Sequence, residues 1–593
     1  MSTLLLLAVF TSLAQGASAD TTYFQQGVDY RIEARLDENT SVLTARARLR
    51  YTNNAPAALD TLWFHLHLNA FRPNSAWAQR DLQFGNRRFS DLGPDEHAFE
   101  RLRSVRVQDR EITPFFRGAP DSTVVGIALP APLLPGASVT LQLDWDARLA
   151  TLPRRQGRRG RHHDFAQWYP RIAVFDAGGW QVQPLLPQGE FYGEFAEYDV
   201  TLDVADDQVV GATGVPVEGD PGWDRARAPG SPTRQYRRDT YAARPPESLG
   251  LLAGLPERGR KRLRWRAEDV HHFAWSAAPD YIYEGGQWNG IAIHVLYQPG
   301  DSAWAGGVAV RRSADALAFM EEVFGRYPWP QLTNLHRIEG GGTEFPMMVM
   351  DGSASEGLIV HEVAHQYVHG ILANNEWREG WLDEGFASFL GNWYFEEKGD
   401  DLREAWRAAE AGVEEMERAR ATQPVALASA EFRDMNAYSA MTYTKPSLVL
   451  RMLRDLMGET SFRDGLRRYY EENRLRHVTE ADFRAAMELA YGRDLSWFFE
   501  QWIHTTSTLD YGIGELRATH EGSGVWSVQV EVLREGDAWM PVRLRVNGET
   551  RVLDSREPRQ LVTFTLRQRP LEARLDPDGI LLDVNPENDQ KRF

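Results

Sequence analysis

His361-Glu362-Val363-Ala364-His365 places two imidazoles four positions apart with a carboxylate between them. On a helix, positions i and i+4 share one face a turn apart, so both rings can reach one ion. Such a pair can bind zinc, and the intervening glutamate can reach a water molecule at the metal. Leu358, Ile359 and Val360 before the motif, and Tyr367 and Val368 after it, predict that helix. Two ordinary helix histidines are the plain alternative, since five-residue matches occur by chance. A catalytic zinc takes three protein ligands and keeps one position open. Glu384, 19 positions beyond His365 in Trp381-Leu382-Asp383-Glu384-Gly385-Phe386-Ala387, is the expected third ligand. The adjacent Asp383 and Glu384 could otherwise be a solvated helix edge. His369 competes for the third position, but the longer three-histidine motif needs Gly at 368 and His at 371. Val368 and Ile371 stand there, so His369 is expected to be structural.

Helical periodicity dominates residues 309–505, with runs beginning at Ser313, Gly357, Trp381, Leu402, Pro446 and Glu480. Before that region, residues 28–215 alternate with period two, the mark of half-buried strands. Leu62, Phe64, Leu66 and Leu68 are expected on one face, and Trp63, His65 and His67 on the other. A basic run, Arg154, Arg155, Arg158, Arg159 and Arg161, interrupts the pattern as a solvated loop or as the lining of an approach for acidic peptides. Residues 216–248 are rich in Pro, Gly and Arg and predict irregular loops. After Thr506 alternation returns at Val528–Val532, Val542–Val546 and Val562–Leu566, with a hairpin signal at Asn547-Gly548. The expected organisation is multidomain α+β. An antiparallel β-domain spans 20–280, a mainly helical catalytic domain 281–507, and a small β-sandwich 508–593.

The bulk numbers narrow the field. A length of 593 residues suits about three domains. The net charge of −18 argues against nucleic acid as a partner, because phosphate binding needs a basic surface. There is no cysteine, so disulfides and thiolate metal sites are excluded and any metal must be held by His and carboxylates. Residues 1–19 have a short apolar core, Leu4–Phe10, followed by Ala17-Ser18-Ala19, the pattern of a secretory signal. A buried N-terminal helix is the alternative reading. Export to a periplasm or the medium is expected, with Asp20 as the mature N-terminus. No stretch reaches the ~20 apolar residues of a membrane span, and nothing in the sequence signals an oligomeric state.

The H-E-x-x-H motif, the eighteen intervening residues and the W-L-D-E-G-F-A segment resemble the gluzincin aminopeptidases of metallopeptidase family M1. The resemblance runs from the Tyr30 strand to about Trp502. It implies a thermolysin-like catalytic domain, one zinc ion per chain on His361, His365 and Glu384, and Glu362 as general base. The family's G-x-M-E-N signature is matched in part by Gly341-Gly342-Thr343-Glu344-Phe345, with Thr343 and Phe345 departing from it. By resemblance, Glu344 binds the free α-amine of a peptide while the backbone at Gly341 and Gly342 aligns it. Tyr443-Thr444-Lys445-Pro446 matches the family's Y-x-K-G at Tyr and Lys and departs at Pro446. Tyr443 is implied as oxyanion donor, and Tyr438 and Gln167 as substrate-binding residues. The function implied is removal of N-terminal residues from peptides with a free amine. The alternatives are an endopeptidase or non-peptide hydrolase on the same fold, or an inactive peptidase-like binding protein.

Overall fold

The computed structural model describes residues 23–118, 121–232, 241 and 244–593, so the expected leader at 1–19 lies outside the described residues. The largest sheet has eight strands. In spatial order they are Val215–Glu218, Arg260–Val270, Ala196–Ala205, Gly27–Asp37, Val42–Thr52, Ser138–Arg148, Phe99–Val107 and Arg110–Glu111. One face is apolar, with Tyr30, Ile32, Ala34 and Leu36 of the first strand fully buried. The other face carries cross-strand ion pairs such as Arg46–Asp144 at 2.6 Å and Arg264–Asp199 at 2.8 Å. The expected antiparallel pairing fails at one seam: Gly27–Asp37 runs parallel to Ala196–Ala205. The long excursion between those strands supplies the crossover that parallel pairing requires.

Two further expectations need correction. Strand character stops at His65, and His67–Ala70 is a tight 3-10 turn. His65 and His67 are buried as fully as Leu62 and Phe64, so the alternation there does not separate core from solvent. The basic run is not a solvated loop. Gly157–Arg159 is a strand, Arg161 pairs with Asp207 at 2.6 Å, and the Arg155 guanidinium is buried against Glu190 and the Phe191 ring. Acidic partners distant in sequence neutralise Arg154, Arg155 and Arg161.

A four-stranded sheet, Ile282–Trp288, Ile291–Tyr297, Gln331–His336 and Met348–Asp351, opens the helical region. Its last strand leads into the helix Glu356–His365, where Ser355 Oγ accepts the Leu358 N–H as N-cap. Longer helices follow at Glu384–Glu397, Arg403–Arg418, Lys445–Met457, Glu459–Asn473 and Glu480–Tyr491. π-Helical turns occupy Gln366–Ile371, directly after His365, and Ala440–Thr444, which contains Tyr443. Such turns concentrate at functional sites. The C-terminal region has a three-stranded and a four-stranded sheet, with Asn547-Gly548 turning between paired Val546 and Glu549. Asn547 has φ 52°, the left-handed conformation that a two-residue hairpin turn needs. No helix among the described residues is long and apolar enough to cross a membrane.

The helix after Tyr443 is pinned by an ion pair between fully buried side chains, Lys445 Nζ to Glu417 Oε1 at 2.9 Å. Removing one partner of such a pair costs about 3–5 kcal/mol, because the other charge stays buried and unpaired. Lys445→Met should therefore lower the urea midpoint sharply, and adding Glu417→Leu should restore most of it.

Candidate metal and catalytic site

The helix Glu356–His365 and the start of the helix Glu384–Glu397 bring the first candidate set together. His361 Nε2 and His365 Nε2 each lie 3.3 Å from Glu384 Oε2, and the two nitrogens are 3.1 Å apart. Glu384 Oε2 is buried and has no aligned hydrogen bond in spite of those contacts. Three lone-pair atoms aimed at a common point, one of them an orphaned carboxylate oxygen, fit an ion better than they fit one another. The donor set, two imidazoles and a carboxylate, is that of a catalytic zinc site. Burial alone would raise the Glu384 carboxyl, but His365 and His361 hold it well below the usual range. Burial would likewise depress His365, yet Asp383 and Glu384 raise it well above the ordinary imidazole value.

Local packing fixes this crossing. Gly385 sits where a Cβ would lie 2.7 Å from the Pro446 ring, so the second ligand helix and the Lys445–Met457 helix meet without a side chain between them. The departure at Pro446 is thus part of the contact that places Glu384.

Glu362 projects from the same helix as the two histidines and lies flat against Gly342. A Cβ at position 342 would stand 1.9 Å from its Oε1, so only glycine fits. Its other oxygen has no protein partner. Burial pushes Glu362 well above the usual carboxylate range; His365 opposes this, and Glu344, Asp351 and Glu384 add to it. Gly341, at φ 72°, begins a short extended segment in which Thr343 exchanges backbone hydrogen bonds with Met350 at 3.0 and 2.9 Å. The buried Arg337 guanidinium holds the segment through the Thr343 hydroxyl and the Gly340 carbonyl. Phe345 is buried against the His272 ring, with its carbonyl accepting from Gln366. Thr343 and Phe345 therefore serve to anchor the segment. Glu344, between them, is 5% exposed and sits within 4.8 Å, ligand atom to ligand atom, of His369 and Glu376.

Tyr443 reaches the centre: its hydroxyl donates to Glu384 Oε1 at 2.5 Å. Burial and the Glu384 charge raise it well above the ordinary phenol value, so it is a donor. Tyr438 packs edge-on to Tyr443, ring centroids 6.2 Å apart, with its own hydroxyl buried and unpartnered. Gln167 has φ 56°, is buried, and leaves both amide atoms without a protein partner. Its segment is tied to the Gly-rich one by Asp164, which accepts the Ile338 N–H at 2.8 Å. A non-glycine residue in that conformation with an unsatisfied side chain is the strained kind of position found at binding sites.

Asp383 was missed as a working residue. It is fully buried and contacts His365 Nδ1 from behind, the arrangement that fixes a ligating imidazole's tautomer and direction. Its place in an apolar segment beside Glu384 was the available signal. Glu376 was also missed. It accepts the Phe191 N–H and contacts His369 Nδ1.

Residues 346–502 match the model of the peptidase family M1 domain. Aminopeptidase 2, mitochondrial, of Saccharomyces cerevisiae is 26% identical over 262 residues, covering 40% of this chain and 26% of that protein. Aminopeptidase N of Lactococcus lactis is 28% identical over 156 residues, covering 25% and 18%. The matched stretch thus spans about a quarter or less of those relatives. Among solved structures, Legionella pneumophila aminopeptidase A, in complex with aspartic acid, aligns with a TM-score of 0.63 at 14% identity. It covers 94% of this chain and 59% of that one. An M1 zinc metallopeptidase mutant from Deinococcus radiodurans aligns with a TM-score of 0.53 at 16% identity, covering 81% and 94%. At these identities the two structures speak for the fold.

His361→Ala and Glu384→Ala should each bind one metal ion fewer than wild type, by elemental analysis after dialysis. Asp383→Asn should keep the ion but hold it about 10–100-fold more weakly in chelator competition, the usual worth of a carboxylate behind a ligating histidine.

Proposed function

The chain belongs to peptidase family M1 as a distant homologue, and from that premise we propose that it is a zinc aminopeptidase. The observation that carries the reading is the convergence of His361, His365 and Glu384 beside a Glu362 carboxylate that only Gly342 leaves room for. In this reading His361, His365 and Glu384 hold zinc, which when bound supplies Lewis acidity and lowers the pKa of water toward ~7. Glu362 takes the proton of the attacking water and passes it to the leaving amine. Its raised proton affinity, from burial and neighbouring carboxylates, suits that exchange. The Tyr443 hydroxyl swings from Glu384 to donate to the developing oxyanion, where preorganised donors contribute most. Glu344, at the rim of the buried cluster, pairs with the α-ammonium of a peptide and sets cleavage one residue from the N-terminus. Gln167 and Tyr438 supply the remaining unpaired polar groups for the substrate.

Four measurements test the assignment. Glu362→Gln should keep its metal and lose about 10²–10⁴-fold in kcat. Tyr443→Phe should lower kcat with little change in KM, as expected for a bond made in the transition state. Wild type should cleave a fluorogenic aminoacyl amide and leave its N-acetyl counterpart almost untouched. Losing the Glu344 partner costs about 2–5 kcal/mol for a desolvated charge pair. Glu344→Ala should therefore fall roughly 30- to several-thousand-fold on the free-amine substrate. Efficient cleavage of the blocked substrate by wild type would overturn the aminopeptidase reading in favour of an endopeptidase.

A further inference from the structure

Behind His365 lies a second knot of metal-ligating side chains that the proposed reaction does not use. His369, Glu376 and Glu344 are all buried, and one ligand atom from each lies within 4.8 Å of the other two. A zinc ion holds nitrogen and oxygen at about 2.0–2.2 Å, so ligands of one ion stand about 3–4 Å apart.

The contacts inside the knot do not satisfy it. His369 Nδ1 and Glu376 Oε1 touch, yet neither has an aligned hydrogen bond, and both atoms are fully buried. Glu384 Oε2 shows the same combination among the first set of ligands: close imidazole contact, no hydrogen-bond alignment, complete burial. A buried polar atom without an aligned partner is destabilising, more so when charged. The ion pair leaves both atoms poorly aligned, and the three ligands share one buried space.

The neighbouring imidazoles do not offer a better site. His271, His272 and His369 also cluster within 4.8 Å. However, His271 Nδ1 and His272 Nδ1 are hydrogen-bonded to each other at 2.6 Å, and His271 Nε2 reaches the His369 carbonyl at 3.0 Å. Arg171 can only donate, and it donates to His272 Nε2. His272 Nδ1 must then carry the proton given to His271, and His271 Nε2 the proton given to the His369 carbonyl. That chain is closed and backed by a buried cation, so it holds the wall of the knot and leaves no lone pair for a metal.

We propose that His369, Glu376 and one oxygen of Glu344 form a second divalent-cation site, distinct from that of His361, His365 and Glu384. The imidazole ligand selects a first-row transition ion such as zinc over calcium or magnesium, which take oxygen donors. Only one oxygen of Glu344 is engaged by the ion. The proposal does not depend on the aminopeptidase reading, and its test does not use activity.

Full-length protein, stripped with chelator, reloaded with zinc and dialysed, should hold two zinc ions per chain by mass spectrometry of the elements. His361→Ala should hold one. His369→Gln should also hold one while its circular dichroism matches wild type. Glu376→Gln, which keeps its shape and can still accept the Phe191 N–H, should give the same count if His369→Gln does not fold. One zinc per chain in wild type overturns the proposal, and so does a count of two in either folded variant.

Discussion

A carboxylate oxygen held between two imidazole nitrogens, 3.3 Å from each, is the interaction around which the helical region is organised. Burying an ionised carboxylate is expensive unless charge and hydrogen bonds compensate it. The compensation here comes from two helices that must cross at one point. Ser355 starts the first helix so that His361 and His365 share a face. Gly385 lets the second approach Pro446, which sets the height of Glu384. Asp383 turns His365 and Tyr443 closes on Glu384 from the far side. These contacts act together, since they converge on the same buried Glu384 carboxylate.

The same physics explains the parts of the sequence that depart from the M1 pattern. Thr343 is where the buried Arg337 guanidinium finds a hydroxyl, so the side chain there is bound to the protein. Phe345 fills the space against His272, and its backbone carbonyl is taken by Gln366. Pro446 replaces a glycine, yet the space a glycine would have left is supplied by Gly385 opposite. The backbone around Glu344 and Tyr443 is thereby held by different side chains from those the family signature predicts.

Acid is concentrated around this centre. Glu344, Asp351, Glu362, Glu376, Asp383 and Glu384 are all buried, and Arg337 and Arg171 are buried close to them. The excess of carboxylates favours cations, whether a metal ion or the ammonium group of a peptide. It also explains why Glu362 is pushed toward the protonated form while Glu384, facing two imidazoles, is not. Two carboxyls a few residues apart in space take opposite protonation behaviour from their neighbours alone.

The sequence by itself determined whatever depends on local spacing. His361, Glu362 and His365 are bound to one helix face by the 3.6-residue period, and Asn547-Gly548 makes its turn because Asn tolerates the positive φ it takes there. The runs beginning at Ser313, Gly357, Leu402, Pro446 and Glu480 are helices because their apolar residues recur at that period. Tertiary structure decided whatever depends on partners distant in the chain. The parallel pairing of Gly27–Asp37 with Ala196–Ala205 rests on a crossover whose path no local pattern encodes. The burial of Arg155 rests on Glu190, and that of His65 and His67 on Trp377, Phe191 and Arg171. His369 shows the difference most directly. In an unbroken helix it would continue the row begun by His361 and His365. The π turn at Gln366–Ile371 rotates it out of that row and onto Glu376, which the Phe191 N–H, distant in the chain, holds in place.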